Sequence, residues 1–512
     1  MADPATAERG DNGHGFAAKQ IEHVEKSKST SGLRDLFSLR LDEKPENPFR
    51  LIAKLNRQQH LTFLAAFLGW TLDAFDFFTV SLTISYIAKE FNNRPISEVT
   101  GAITTTLMLR PIGALIFGAL ADRFGRRGPL MLDIILYSAF ELASGFAPNW
   151  ETFIVLRGLF GVAMGGEWAL GASLSMEVLP AECRGLYSGI LQQGYAFGYL
   201  LATVIARAVN IEANGWRPLF YIGAAPALLT ILIRFFVPES DTWRKTEQQR
   251  RMKKISYLTQ VKTVFQKHWL RVIYGIVLMT LFNFMSHGSQ DLYPSFLRSQ
   301  VGLDENQLTV TMVLANLGAI VGGTLLGYYS QYFGRRRAII ICAFLGGCFI
   351  PLWVLPRENI GLLQFGAFML QFFVQGAWGV VPVHLNELSP AEFRGTYTGL
   401  SYQIGNLISA SAAQIEATLG EKFPTPQGKA DYGLTQAILM AIIFFLMIVI
   451  TAIGFEHRAR DLEDHLDSNL RETEEKSIEL KPDEQDTGTA DAKQAAPSAK
   501  DQGENAGTEK SS

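Results

Sequence analysis

The stretch EVLPAECRGLYSG at residues 177–189 recurs as ELSPAEFRGTYTG at residues 387–399. A second pair of motifs, GALADRFGRR at 118–127 and GYYSQYFGRR at 327–336, repeats at nearly the same offset, 209 positions instead of 210. Both pairs lie in polar connections, where a shared apolar composition cannot create similarity by chance. The two agreeing offsets therefore indicate that about 210 residues have been duplicated within the chain.

The duplicated unit consists of long apolar segments. Between about residue 60 and residue 456, runs of about 20 mostly apolar residues follow one another, and this is the length that crosses a bilayer core. Twelve such runs begin near residues 61, 98, 129, 152, 185, 217, 270, 307, 337, 361, 395 and 433. Internal repeats are typical of secondary transporters, and two parallel six-helix halves form the major facilitator arrangement. The sequence therefore predicts an all-α membrane protein with twelve transmembrane helices in two six-helix bundles.

The predicted organisation has two bundles, one long connection and two tails. Charged and small residues dominate both tails, and their lack of large apolar residues predicts disorder. The segments are an N-terminal tail at 1–59, a first bundle at 60–238, a central cytoplasmic loop at 239–269, a second bundle at 270–456 and a C-terminal tail at 457–512. Lysines and serines in the tails could be modified to control turnover, which makes turnover machinery a candidate partner.

Basic residues mark one side of the predicted membrane protein. Lys and Arg are concentrated in the even-numbered connections, which include WRKTEQQRRMKK at 243–254 and GRRR at 334–337. This excess predicts that both termini lie in the cytoplasm, and we expect a multi-pass protein of the plasma membrane. The first apolar run follows a long polar segment, so we expect it to remain as a signal-anchor. The basic runs are short turns between spans, which argues against nucleic-acid binding.

The sequence does not indicate an enzyme. We find no phosphate-binding loop, nucleophile motif or cluster of metal ligands, so we predict no cofactor and no metal. The three cysteines, Cys183, Cys342 and Cys348, suggest no disulfide framework.

The seventh apolar run carries polar residues on one face. In NFMSHGSQDL at 283–292, the polar positions recur at helical spacing, and they are Asn283, Ser286, His287, Gln290 and Asp291. Ionisable side chains at membrane depth are costly and usually face a cavity or a partner. His287 and Asp291 can touch along the helix, so this pair could take up a proton and attract an anion. The alternative is a structural hydrogen-bond network that holds this helix against a neighbour.

Three other spans place polar side chains at similar depth. Arg110 in the second span could bind a substrate carboxylate through two parallel hydrogen bonds, or form a permanent salt bridge to an intramembrane acid. Asp73 and Asp76 in the first span share a helix face, so one could pair with Arg110 while the other carries a proton. Gln403 and Asn406 in the eleventh span also share a face, and they could orient a substrate or bridge helices.

The polar loop between the second and third spans resembles the loop signature of the major facilitator superfamily. The matching residues are Gly118, Asp122, Arg123, Gly125, Arg126 and Arg127. The second copy departs from it, because Gln331 and Tyr332 stand where Asp122 and Arg123 do. Acidic and basic groups at neighbouring helix ends can pair across the inner mouth and close it; alternatively, the arginines only fix the topology. The candidate gating residues are Asp122, Arg123, Arg126, Arg127, Arg184 and Arg394.

The seventh span also resembles a narrower family. NFMSHGSQDLYPS at 283–295 is similar to the helix-7 signature of the fungal Jen-type carboxylate permeases, with Ser295 in place of a final Thr. The resemblance implies a proton symporter for lactate, pyruvate or dicarboxylates, with a functional arginine in helix 2 and a substrate-binding amide pair in helix 11. The candidate substrate-binding residues are Arg110, Asn283, His287, Gln290, Gln403 and Asn406. The candidate proton-coupling residues are His287, Asp291, Asp76 and Asp73.

We therefore expect a symporter that carries small carboxylates and protons across the lipid bilayer by alternating access. Lactate and pyruvate are the expected substrates, with succinate and malate as further candidates. The preference between monocarboxylates and dicarboxylates, the proton stoichiometry, the oligomeric state and the choice between Asp73 and Asp76 as the titrating acid stay open. Two alternatives are a sialate-, sugar- or phosphate-type proton symporter on the same scaffold and a carboxylate sensor that does not transport.

Overall fold

The computed structural model describes residues 45–124, 127–224, 257–389, 394–426 and 428–456. Within these ranges only the backbone is described at residues 119, 122, 123, 257–268 and 394–396. The described residues are helical almost throughout, and their helices fall into twelve spans. All but span 7 begin within four residues of the predicted positions. In this part of the chain, β-structure is limited to an isolated bridge between Pro424 and Ala430.

The first half holds spans 1 to 6, preceded by a short helix, Pro48–Ala53. Their bounds are Arg57–Glu90 (span 1), Gly101–Phe124 (span 2), Arg127–Gly145 (span 3), Trp150–Ala163 with Glu167–Val178 (span 4), Arg184–Gln192 with Gly194–Val209 (span 5) and Arg217–Gly223 (the described part of span 6). Spans 4 and 5 are therefore each divided into two helices.

The second half holds spans 7 to 12. Their bounds are Tyr257–Gln290 with Tyr293–Ser295 and Phe296–Val301 (span 7), Glu305–Phe333 (span 8), Arg335–Val354 (span 9), Ile360–Trp378 with Val381–Leu388 (span 10), Arg394–Ser409 with Ala412–Lys422 (span 11) and Tyr432–Ile453 (span 12). Span 7 begins inside the segment that we predicted as the central loop. Most of that loop lies outside the described residues.

The helices pack in a pattern that repeats between the halves. Span 1 packs against span 5 and span 2 against span 4, just as span 7 packs against span 11 and span 8 against span 10. Across the halves, span 2 meets span 11 and span 5 meets span 8. The N-caps follow the same repeat, because Asn149 caps span 4 and Asn359 caps span 10 with their side-chain oxygens. The structure therefore supports the duplication that the sequence motifs indicate.

The bundle buries a number of polar side chains within its apolar core and exposes large apolar side chains outside. Large apolar side chains such as Leu115 and Phe445 are exposed on the outer surface, whereas Arg110 is buried. By length and composition, eight helical segments of the described residues could cross a membrane. Spans 5 and 11, which fall outside this set, carry buried amides such as Gln192 and Gln403. The predicted all-α, twelve-span architecture is confirmed.

A short N-terminal segment ties the two halves together at one face of the bundle. The backbone N–H of Glu46 donates to the Tyr332 hydroxyl at 3.0 Å, and the Tyr328 hydroxyl donates to the Glu46 carbonyl at 2.5 Å. Both tyrosines belong to span 8. Lys54 forms ion pairs of 2.8 Å with Glu46 and 3.1 Å with Glu182, which belongs to the first half. Tyr332, which replaces a basic residue of the loop signature, thus holds the segment that precedes span 1.

Other contacts join the halves at the opposite face. Ser97 donates from its backbone N–H and its hydroxyl to the two carboxylate oxygens of Glu421, at 3.1 and 2.6 Å. The Tyr86 hydroxyl of span 1 donates to Oε1 of Glu305 in span 8 at 2.9 Å. Polar contacts between the halves therefore lie on both sides of the buried polar interior.

Candidate substrate and proton site

Arg110 and Asp73 form a buried ion pair between spans 2 and 1. Nη2 of Arg110 donates to Oδ2 of Asp73 at 3.0 Å, and the two side chains are only 3% and 0% exposed. Nε of Arg110 and Oδ1 of Asp73 have no hydrogen-bond partner among the described residues. The structure therefore pairs Arg110 with Asp73, and among the described residues one donor and one acceptor of this pair have no partner.

A close helix contact holds Arg110 in place. At Gly165, between the two helices of span 4, a Cβ atom would lie 2.1 Å from the carbonyl oxygen of Arg110. A side chain there would clash with the backbone of span 2, so the absence of one lets the two spans approach closely. The carbonyl of Gly165 also accepts a hydrogen bond from a side chain of the other half, that of Gln403.

A chain of hydrogen bonds runs from span 7 through span 11 to span 4. Nδ1 of His287 lies 2.9 Å from Oδ2 of Asp291, and Nε2 of His287 lies 3.4 Å from Oδ1 of Asn406. Nδ2 of Asn406 donates to Oε1 of Gln403 at 3.3 Å, and Nε2 of Gln403 donates to the carbonyl of Gly165 at 2.7 Å. Four predicted site residues are therefore connected, and the chain ends beside Arg110.

Phe77 of span 1 joins the ion pair to the hydrogen-bonded chain. The guanidinium carbon of Arg110 lies 5.9 Å from the centroid of the Phe77 ring. The imidazole centroid of His287 lies 5.6 Å from the same ring. Three spans thus bring a permanent cation and an ionisable imidazole to one aromatic side chain.

Gln290 belongs to a separate amide cluster that sequence reasoning did not find. Its Nε2 donates to Oε1 of Gln371 in span 10 at 2.9 Å, and its Oε1 accepts from Ser286 at 3.0 Å. Gln371 in turn donates to the hydroxyl of Ser289 at 3.1 Å. Gln371 shares a helix face with Gln364 and Gln375 in span 10, and this spacing is the sequence signal that could have found it.

Asn283 points to a different set of partners. Its amide donates to the carbonyl of Met279 in its own helix at 2.9 Å and to the carbonyl of Tyr402 in span 11 at 3.4 Å. Asn283 therefore joins the backbones of spans 7 and 11 in this arrangement, on the same helix face as His287.

The helix of span 7 is interrupted after the polar stripe, which is the row of polar side chains from Asn283 to Asp291. Hydroxyl groups of the other half bond the backbone carbonyls at this interruption. Pro294 lacks the N–H that would bond the carbonyl of Gln290 in a continuous helix. The Tyr199 hydroxyl of span 5 donates to that carbonyl at 3.3 Å, and the Ser81 hydroxyl of span 1 donates to the carbonyl of Asp291 at 2.6 Å. Hydrogen bonds from the first half therefore hold span 7 at this break.

Aromatic side chains surround these groups. Tyr402 stacks on Trp168 with ring centroids 4.1 Å apart, and Trp70 stacks on Tyr195 at 5.4 Å. Trp70, Trp168 and Tyr402 were not among the predicted site residues, because aromatic residues in apolar runs look like ordinary core or lipid-facing material. Together with Phe77 they provide an apolar wall beside the polar groups, as small-molecule sites commonly have.

Asp76 lies apart from the Arg110–Asp73 pair. Neither of its carboxylate oxygens has a hydrogen-bond partner among the described residues. The charged groups that act on it are Glu141, Arg157 and Asp73, and Arg157 donates to Glu141 at 2.5 Å in a second buried ion pair. The two aspartates of span 1 therefore serve different clusters. Sequence reasoning assigned no partner to Glu141, because Arg157 lies in another span.

The candidate gating residues are described only in part. Nε of Arg184 donates to the carbonyls of Met176 and Leu179 at 3.1 and 3.2 Å, so it binds the end of span 4 within its own half. Arg127 begins span 3. Arg126 lies outside the described residues, and so do the side chains of the remaining candidates, which are Asp122, Arg123 and Arg394. Gating therefore stays a prediction for all six residues.

The second copy of the loop motif shows a complete ion pair. Nε and Nη2 of Arg335 donate to the two carboxylate oxygens of Glu387 at 3.2 and 3.1 Å, and both side chains are buried. This is the two-pronged geometry that a planar guanidinium forms with a carboxylate. The corresponding residues of the first copy are Arg126 and Glu177, of which Arg126 is not described.

Comparison with known proteins agrees with this architecture. The family described as sugar (and other) transporter matches residues 61–462. The chain belongs to this family, within the major facilitator superfamily. One relative is the carboxylic acid transporter protein homolog of Saccharomyces cerevisiae. It is 32% identical to this chain over 440 residues, which cover 81% of this chain and 71% of that protein.

Two further comparisons fit the family. The sialic acid transporter NanX of Escherichia coli is 29% identical over 408 residues, covering 79% of this chain and 95% of the relative. A partially occluded, inward-open structure of the xylose transporter XylE from E. coli has a TM-score of 0.61 at 17% identity, covering 77% of this chain and 97% of that chain. At this identity the structural likeness shows the fold alone. As a member of a transporter family, the chain is a multi-pass membrane transporter and not an enzyme.

Proposed function

We propose that the protein is a proton-coupled symporter of small carboxylates, with lactate and pyruvate as the first candidates, in the plasma membrane with both termini in the cytoplasm. The observation that carries the proposal is the meeting of the Arg110–Asp73 and His287–Asp291 pairs at Phe77. A guanidinium with an unused donor suits a carboxylate, and an imidazole beside a carboxylate suits a proton. The similarity to a yeast carboxylic acid transporter homolog supports an organic acid as the substrate.

The charges of the two pairs explain why anion and proton would bind together. With His287 neutral, the cation of Arg110 is outnumbered by the anions of Asp73 and Asp291, and a third anion is repelled in a low-dielectric interior. Protonating His287 removes this excess of negative charge. Any anion that favours the protonated site is itself favoured by protonation, because binding free energies are reciprocal. Substrate binding and proton uptake are then coupled at the same group of residues.

The remaining polar residues have supporting roles in this proposal. Gln403 and Asn406 connect His287 to the backbone beside Arg110, so they can orient a substrate without adding charge. Gln290 and Gln371 fix the end of the polar stripe against span 10. Asp76, whose carboxylate has no hydrogen-bond partner among the described residues, is a second candidate for carrying a proton. Alternating access would then move the broken spans 7 and 11 relative to the first half.

Labelled-lactate uptake by cells that make the protein, recorded together with the pH of the medium, tests this proposal. We expect saturable uptake accompanied by alkalinisation of the medium. Uptake without alkalinisation would reject proton symport, and a lactate-dependent signal without uptake would favour the sensor alternative.

A competition panel separates the substrate classes. Unlabelled lactate, pyruvate, succinate, malate, acetate and sialic acid would each compete against labelled lactate. We expect one or more of the small carboxylates to compete at the lowest concentration. Because a sialic acid transporter is also similar to this chain, stronger competition by sialic acid would favour the sialate-type alternative.

A further inference from the structure

Glu416 is a buried acid that the proposed function does not use. It lies in the second helix of span 11, Ala412–Lys422, and is 1% exposed. Neither of its carboxylate oxygens has a hydrogen-bond partner among the described residues. Its backbone is anchored, because the Thr435 hydroxyl of span 12 donates to the Glu416 carbonyl at 3.1 Å. The side chain is therefore held inside the bundle while its functional group remains unpaired.

The carboxylate of Glu416 lies directly against span 7. A Cβ atom at Gly288 would come 3.1 Å from Oε1 of Glu416, so the missing side chain of Gly288 makes room for this oxygen. Gly288 follows His287 in the chain, and it precedes Asp291 by one helical turn. Oδ1 of Asp291 also has no hydrogen-bond partner among the described residues. The carboxylate of Glu416, on span 11, thus lies beside the helical turn of span 7 that ends at Asp291.

Among the described residues, no cation compensates the charge of Glu416. Asp291 is the charged group that acts on it, and its charge has the same sign. From span 12, Leu439 and Met440 approach the same space beside Gly288, and Thr435 is neutral. The helix Ile96–Val99 and span 2 meet the span-11 helix elsewhere, through Ser97 at Glu421 and Thr104 at Gln414.

An unpaired buried carboxylate is costly in its charged form, and two neighbouring acids oppose each other's ionisation. In the observed arrangement, Glu416 and Asp291 therefore compete to carry the negative charge. We propose that Glu416 is a second proton-carrying residue of the transport site, which hands its proton to Asp291 when spans 7 and 11 move apart from the first half. In this step the O–H bond at Oε1 of Glu416 breaks and an O–H bond forms at Oδ1 of Asp291. The total charge does not change.

This inference rests on the proposed proton symport, and the test separates the two. The purified protein in proteoliposomes would be supplied with labelled lactate, and accumulation would be driven by an imposed pH gradient. Lactate exchange at equal pH on both sides would be measured in parallel, because exchange requires no net proton movement. Glu416→Gln would be compared with the parent, with Glu416→Asp, and with Glu358→Gln, which changes an exposed acid.

We expect Glu416→Gln to lower gradient-driven accumulation about tenfold, a typical size for a coupling free energy, and to lower the number of protons taken up per lactate. Lactate exchange should stay within about twofold of the parent, because the coupling energy does not enter that measurement. Glu416→Asp should recover most of the accumulation, and Glu358→Gln should behave like the parent.

Three results would overturn the inference in distinguishable ways. If the parent accumulates lactate without protons, the proposed function itself fails. If the parent is coupled and Glu416→Gln is coupled equally, Glu416 carries no transported proton. If Glu416→Gln does not fold or insert, the neutral side chain is not tolerated, which contradicts a role that requires the neutral acid.

Discussion

Arg110 holds Asp73 through a 3.0 Å hydrogen bond in the buried interior, and each partner keeps one polar atom unused. A buried ion pair contributes little net stability, because the cost of removing both charges from water offsets their attraction. A pair with an unused donor and acceptor is therefore better explained by ligand binding than by stability of the fold.

Arg110→Lys should lower uptake of labelled lactate by about tenfold or more, since an ammonium cannot reproduce the planar guanidinium fork. The matched control is Arg217→Lys, because Arg217 pairs with Glu90 near the surface at 2.7 Å. Uptake would be normalised to surface protein, and the control should stay close to the parent. Parental uptake and affinity in Arg110→Lys would remove Arg110 from the substrate site.

Gln403→Ala and Asn406→Ala should each raise the lactate concentration for half-maximal uptake about fivefold, which is within the cost of leaving one buried hydrogen-bonding group unpaired. The physical reason is the loss of the chain that links His287 to the carbonyl of Gly165. Asn316→Ala is the control, because that buried amide bonds only the carbonyl of Met312 in its own helix among the contacts described. If both variants keep the parental affinity and substrate ranking, span 11 has a packing role only.

The architecture was predictable from the sequence because it depends on local signals. Run length identifies a span and repeated loop motifs identify a duplication, and both can be read without knowing any three-dimensional contact. The His287–Asp291 contact was predictable for the same reason, since helical spacing brings the two side chains together. The choice of Asp73 over Asp76 as the partner of Arg110 was not predictable, because it depends on how spans 1 and 2 are rotated against each other.

Two site residues were missed for different reasons. Trp168 is an aromatic side chain in an apolar run, so nothing in its own span distinguishes it from a packing residue. Gln371 shares a helix face with Gln364 and Gln375, a polar pattern that the sequence analysis did not use. Their partners lie in other spans, at Gln290 and Tyr402, and only the folded bundle brings them together. The sequence analysis did not select Glu416, because an acid near the end of a span of low hydropathy resembles a residue of the following loop.

Tyr199→Phe should lower the free energy of unfolding by about 1 kcal/mol, the typical net value of one hydrogen bond. The loss should be smaller in a Pro294→Ala background, because that variant restores an N–H able to bond the carbonyl of Gln290. Thermal midpoints of the four proteins in detergent would complete the double-mutant cycle. Tyr221→Phe is the control, since its hydroxyl bonds the carbonyl of Gly145 at 2.9 Å. Equal losses in both backgrounds would show that Tyr199 does not compensate for the proline.

Removing the hydroxyls of Tyr328 and Tyr332 should loosen the segment before span 1. The helix Pro48–Ala53 covers Cys183, whose sulfur lies 3.5 Å from a carbonyl of that helix. The combined Tyr328→Phe and Tyr332→Phe variant should therefore react with a maleimide at Cys183 about tenfold faster, which corresponds to the loss of about one or two hydrogen bonds. The exposed Cys348 would first be changed to serine in all proteins.

The chemistry of Cys183 strengthens this test. Burial raises the pKa of the Cys183 thiol to about 11, so little reactive thiolate is present near neutral pH while the segment covers it. Uncovering the thiol should return its pKa towards the ordinary value and shift the rise of the alkylation rate to lower pH. Tyr329→Phe, at the exposed neighbouring tyrosine, should leave the profile unchanged. Identical profiles in all variants would show that the two hydroxyls do not hold the segment.

The central claim is that substrate and proton meet at the His287–Asp291 pair. The most direct measurement is lactate accumulation and alkalinisation of the medium in His287→Ala and Asp291→Asn, normalised to surface protein, with His60→Ala as a histidine control near the start of span 1. We predict that both site variants reach the membrane and lose proton-driven accumulation, while Asp291→Asn still exchanges internal for external lactate. If both variants concentrate lactate and take up protons like the parent, the polar stripe of span 7 is a structural contact and the proposed coupling site is wrong.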